Sequence, residues 1–102
     1  MDSIEKKRML PTKLKQLREN AGLPQRKLAA ALDIDTATYS KIETGKIIPS
    51  KGQIIQIANI LSESESELLE IWMAEKIALI AESDIELAPA AIKLVGEKLN
   101  IE

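Results

Sequence analysis

From Leu14 to Leu99 the apolar residues of this chain recur at helical spacing, and each recurrence predicts an element. Leu14 and Leu17 predict a first helix from about Pro11 to Ala21, with Lys13, Lys15 and Arg18 outside and Gly22 ending it. Leu28, Ala29 and Leu32 give the segment Gln25 to Leu32 one apolar face, and Tyr39 and Ile42 do the same for Thr36 to Thr44. Ser50-x-x-Gln53 reads as a capping box opening a fourth helix, whose stripe is Ile54, Ile57, Ala58 and Leu61. Ser64-x-x-Glu67 reads as another box before a helix from Leu68 to about Glu82, within an acidic run whose Glu side chains suit a first turn. Leu69, Met73, Ile77 and Ile80 line one face of that helix, and Leu68, Ile71, Trp72, Ala78 and Leu79 cover much of the rest. Pro89 marks a last helix with Ile92, Val95 and Leu99 in register.

The second and third of these elements meet across Asp33-Ile34-Asp35, a connection short enough to imply a helix-turn-helix. Ala29 is small where two steeply crossing helices must bring their backbones close. Asp35 is placed to cap the second helix of the pair at Thr38, and Gly45 to close it in the left-handed conformation that glycine enters cheaply. Its outward residues are Thr36, Ala37, Ser40 and Lys41, short or flexible side chains that suit a DNA major groove.

Leu23 to Ala29 (LPQRKLA) and Ser40 to Lys46 (SKIETGK) resemble the Cro/phage-repressor type, or XRE family, of helix-turn-helix regulators. The similarity runs from about Leu14 through Leu61, nearly half the chain. Pro24 departs from the family, which usually places a Ser or Thr cap there; a first-turn position would tolerate it, because the missing N–H would be unpaired anyway. The whole chain is also similar to small regulators of the restriction-modification-associated kind. The resemblance implies an all-α, five-helix Cro/repressor-like bundle with an extended C-terminal helical segment. It also implies a transcriptional regulator acting as a homodimer on a (pseudo)palindromic operator.

Roles follow from residue type and position in the family pattern. Gln25 opens the first motif helix, where its amide can bond a phosphate. Thr36, Ala37 and Lys41 fall on the face that meets base edges; Lys41 can donate to guanine O6 and N7, and Ala37 or the Thr36 methyl can meet a thymine methyl. Ser40, Thr44 and Lys46 lie where the family contacts backbone phosphates. Arg26 and Lys27 are expected to be exposed, Tyr39 to pack, and Glu43, repelled by phosphates, to pair with a cation such as Arg18 or Arg26.

Charge sharpens this picture. Residues 1–53 hold 11 Lys and Arg against 6 Asp and Glu, a net of +5, whereas residues 54–102 hold 3 against 10, a net of −7. A chain of overall charge −2 thus carries a basic half that contains the motif. The apolar content of 45%, with no Phe, one Trp and one Tyr, leaves packing to Leu, Ile and Ala and favours helix on helix. With neither Cys nor His, the chain lacks the usual nucleophile, general base and metal ligands, so no enzyme, metal or cofactor is expected. The apolar runs are too short for a membrane span or signal peptide, which points to the cytoplasm.

The expected organisation is a mobile N-terminal arm (1–8), a DNA-binding domain (9–67) and a C-terminal helical segment (68–102). Apolar excess around Leu68, Ile71, Trp72 and Leu79 is assigned to dimerisation. Double-stranded DNA and a second copy are the expected partners, with no small-molecule ligand. The alternative is an antitoxin-type interaction module, its tail gripping a toxin while the same motif autoregulates.

Overall fold

The computed structural model describes residues 8–101, which form six helices: α1 (Met9–Asn20), α2 (Gln25–Leu32), α3 (Thr36–Glu43), α4 (Lys51–Leu61), α5 (Glu65–Glu82) and α6 (Ala88–Leu99). They correspond to the six elements expected from the apolar spacing, whereas the five-helix count implied by the resemblance is not matched. No strand occurs among the described residues. The expected arm lies outside them, apart from Arg8.

Most helix boundaries have local causes. The Asp35 carboxylate accepts the Thr38 backbone N–H at 2.6 Å and starts α3. Ser50 and Gln53 form the full reciprocal box at α4, each side chain taking the other residue's backbone N–H. At α5 only half a box forms: Ser64 Oγ accepts the Glu67 N–H at 3.2 Å, and the N-cap at Ser64 brings the start forward to Glu65. Pro24 is the N-cap of α2 itself, with no side-chain bond, so its expected first-turn placement shifts by one residue. The start of α1 has a distant cause. No side chain nearby caps it; the Leu10 N–H instead donates to Glu75 Oε1 at 2.9 Å, 65 residues away on α5. A carboxylate at a helix N-terminus also meets the positive end of the helix dipole.

Leu10 and Leu14 from α1, Leu28, Ala29 and Leu32 from α2, Tyr39 and Ile42 from α3, Ile54, Ile57, Ala58 and Leu61 from α4, and Leu68 from α5 form one buried cluster. Leu17, Ile71 and Trp72 pack against its edge. Every apolar stripe expected of the first four helices therefore finds a partner. Arg18 is a correction: it is not outside with Lys15 but only 9% exposed. It follows Leu10 and Leu14 at four-residue steps, which places it on the inward face of α1.

The far end of the chain differs. Beyond Glu75 the only buried residue among those described is Ala88, and α6 makes no extensive contact with any other helix. The radius of gyration is 15.2 Å, whereas a compact chain of this length has roughly 13 Å. The difference reflects α6 and the end of α5 standing away from the bundle.

Candidate nucleic-acid interface

The third helix is held from both ends and from behind. At its start, the Thr38 N–H holds the Asp35 carboxyl below its ordinary range. At its end, Gly45 takes φ +83°, its N–H donating to the Ile42 carbonyl and the Lys46 N–H to the Lys41 carbonyl at 2.9 Å. That pair of bonds is a Schellman closure, and it sets the direction in which Lys46 leaves the helix. A Cβ at Gly45 would also come within 3.1 Å of the Arg8 side chain. The backbone angle favours glycine there, and any other side chain would also have to displace that of Arg8.

Behind the helix lies a buried ion pair. Arg18 Nε donates to Glu43 Oε2 at 2.7 Å and Arg18 Nη2 to Glu43 Oε1 at 3.1 Å, a two-pronged pair that joins α1 to α3. The remaining guanidinium nitrogen, Nη1, donates to the Leu23 carbonyl at 2.8 Å, and Gln25 Nε2 donates to Glu43 Oε1 at 3.1 Å. One carboxylate thus ties together α1, the start of α2 and the end of α3. Burial alone would push the Glu43 carboxyl up; the bonds from Arg18 and Gln25, with the nearby Tyr39 hydroxyl, outweigh it and hold the group below its ordinary value. The same contact raises the Arg18 guanidinium. The Tyr39 hydroxyl completes no hydrogen bond among the described residues, and burial pushes that phenol far above its usual value.

With its inner face so occupied, α3 presents the expected outer face. Thr36, Ala37 and Lys41 are exposed and Ser40 is half-buried. Thr44 and Lys46 are exposed just past the helix; the Thr44 hydroxyl donates to the Lys41 carbonyl at 3.3 Å. Gln25 is half-buried at the start of α2 with one amide hydrogen on Glu43, and its carbonyl oxygen and second hydrogen have no partner among the described residues. Arg26 and Lys27 are exposed beside it. All seven expected DNA contacts therefore lie on or beside α2, α3 and the loop that follows. Among the described residues, no group of three or more His, Cys, Asp or Glu could hold a metal.

A family model for helix-turn-helix proteins matches residues 14–68, more than half the chain. The chain belongs to the XRE-type helix-turn-helix family. A comparison with curated proteins and with solved structures finds no match. This family is one of DNA-binding regulators rather than of enzymes, so the protein is a DNA-binding helix-turn-helix regulator. No described helix is long and apolar enough to cross a membrane.

Two groups of contacts, at Trp72 and at Glu75, escaped the sequence reading. Trp72 Nε1 donates to the Pro49 carbonyl at 2.8 Å, with Lys76 Nζ 4.2 Å from the centre of the indole ring. One turn on, Glu75 holds the start of α1 and lies 3.8 Å from Arg8, which also reaches Glu82 at 3.7 Å. Successive turns of α5 thus brace the loop after α3 and the start of α1. The available signal was a charged residue in the register of Leu68 and Trp72.

The same contacts revise the expected dimer face. Leu68 is 2% exposed inside the protein's own core and has no surface for a partner. Ile71 and Trp72 pack against that core, and Leu79 is half-buried. Uncovered apolar surface lies further along, on the last turns of α5 and on α6.

Proposed function

We propose that this regulator recognises a specific (pseudo)palindromic operator as a homodimer, with α3 in the major groove of each half-site. The observation that carries this reading is the exposed face of Thr36, Ala37 and Lys41 on a helix whose opposite face is locked by the Arg18–Glu43 pair. A rigid helix keeps its side chains in one register against base edges, which sequence discrimination requires. Lys41 serves as the donor to guanine, and Thr36 and Ala37 as the apolar contacts to neighbouring pairs. Ser40, Thr44, Lys46 and Gln25 hold the phosphates, and regulation takes place in the cytoplasm.

A single helix of this kind reads only a few base pairs, so specificity requires two copies, with half-sites about one helical turn, ~34 Å, apart or a multiple of it. Selection of bound sequences from random duplexes is the test. It should return an inverted repeat with fixed spacing. A single asymmetric half-site, or no enrichment, would overturn the dimeric operator.

A further inference from the structure

We propose that the groove between α5 and α6 is filled by α6 of a second copy of this chain, the two helices crossing antiparallel about a twofold axis near Ile92. This rests on the homodimer reading above and assigns its interface.

The first argument is stability. The helix α6 has 12 residues, and a helix of that length is marginal in water unless its apolar face is packed. Its stripe of Ile92, Val95 and Leu99 is 52–58% exposed, and only Ala88 is buried by the chain itself. Something must cover it.

The second is shape and area. Ile77, Ile80, Leu87, Ala91, Ile92 and Val95 line a groove of about 530 Å³. From Ile77 to Ile101, nine large aliphatic side chains are more than half exposed, and six of them, Ile77, Ile80, Leu87, Ile92, Val95 and Ile101, line this groove. At roughly 100 Å² each these six amount to roughly 600 Å², the upper end of the apolar patches usual on a monomer and most of the ~800 Å² per partner of a standard interface. The chain carries both a groove and an apolar helix as its lining, as a self-complementary interface requires.

The third is charge, and it selects a second copy over a foreign partner. Asp84 and Glu86 precede α6 and Lys93 and Lys98 lie along it, and none of the four forms an ion pair among the described residues. Antiparallel helices place the end of one beside the start of the other. With the axis near Ile92, Lys98 of one copy lies beside the start of its mate's α6, which Glu86 precedes by two residues. Lys98 then meets Glu86 twice per dimer.

Because the chain has no cysteine, Ile92→Cys in the full-length protein introduces a single thiol. A residue at a twofold axis faces its own copy, so mild oxidation should convert this variant to a covalent dimer, while Asn20→Cys on α1 should form no disulfide cross-link within the dimer under the same conditions. Sedimentation should show the wild type dimeric at micromolar concentration. Ile92→Asp removes two side chains per dimer and should raise the dissociation constant roughly 100-fold or more, with helix content retained by circular dichroism. Lys98→Glu and Glu86→Lys should each weaken the dimer, and the double variant should recover it. If the wild type is dimeric but Ile92→Cys does not cross-link and the charge swap does not recover, the α6 interface is wrong and the homodimer stands. If the purified wild type sediments as a monomer, both fall. A monomer that co-purifies from its native host with a stoichiometric second protein, lost in Ile92→Asp, gives the groove to that protein instead.

Discussion

Residues 8–72 and residues 77–101 carry the same kind of apolar periodicity and meet opposite ends. In the first region, the stripes of α1 to α4 and the start of α5 close on one another, and Leu14, Leu28, Tyr39, Ile54 and Ile57 are wholly buried. In the second, Ile77, Ile80, Ile92 and Val95 follow equally regular spacing and remain more than half exposed. Helical spacing shows that a face is built to be covered; whether its own chain covers it depends on what lies within reach. Four short connections bring α1 to α5 together, whereas α6 follows a turn that carries it off the end of the bundle.

The largest test of this contrast is the buried ion pair that the first region encloses. Glu43→Ala leaves the Arg18 guanidinium buried without its partner and should destabilise the fold by about 3–5 kcal/mol in urea unfolding. Arg18 and Glu43 are nearly inaccessible, with side chains 11% and 2% exposed, so an exposed-pair loss of under about 1 kcal/mol would contradict the lock. The pH dependence has a definite sign. Because the folded Glu43 carboxyl sits below its ordinary value of 4.5, its contribution is present above that pH and is lost as the pH falls through the lower folded value. Glu43→Gln should therefore be less stable than wild type at neutral pH and show a shallower acid loss.

Next comes the apolar contrast itself. Ile54→Ala should cost about 2–5 kcal/mol, through lost burial and the cavity left behind. Ile80→Ala, measured in the Ile92→Asp background, should stay within about 0.5 kcal/mol, because Ile80 is 76% exposed. Equal losses at the two sites would erase the distinction between the regions.

Smaller effects concern DNA. Lys41→Ala should cost about 1–3 kcal/mol on the preferred site and relax preference at one base pair in each half-site. A uniform loss over all sequences would instead make Lys41 a phosphate contact. The smallest expected effect lies where α5 meets the rest of the first region. Trp72→Phe keeps the ring but removes the donor to Pro49, and should cost about 1 kcal/mol of stability. If the Trp72 bond positions the Lys46 loop, this variant should also flatten the dependence of log affinity on log salt by up to about one unit, as Lys46→Ala should. An unchanged salt slope in Trp72→Phe would make the bond purely structural.

The features that were legible in the sequence act over short stretches of chain. The Asp35 cap, the Ser50–Gln53 box, the Gly45 closure and the outward set Thr36, Ala37 and Lys41 each depend on residues within about five positions. Helical geometry converts such spacings directly into faces and caps. The Glu43 pairing was also legible, because a carboxylate beside a DNA-binding surface needs a cation. Its depth was not, since reading Arg18 with Lys13 and Lys15 as one polar face overlooked its four-residue step from Leu14.

By itself, then, the sequence determined the helix-turn-helix, the outward face of its second helix, the caps that bound it and the all-helical class. Only the tertiary structure decided that Glu75 would start α1 from 65 residues away, that Trp72 would hold the Pro49 loop, and that Leu68 would belong to the core. It alone left α6 uncovered. These outcomes depend on how the helices are placed relative to one another, and local spacing carries no information about distances between residues far apart in the chain. An apolar stripe specifies that it will be buried, and the packing of the whole chain selects its partner.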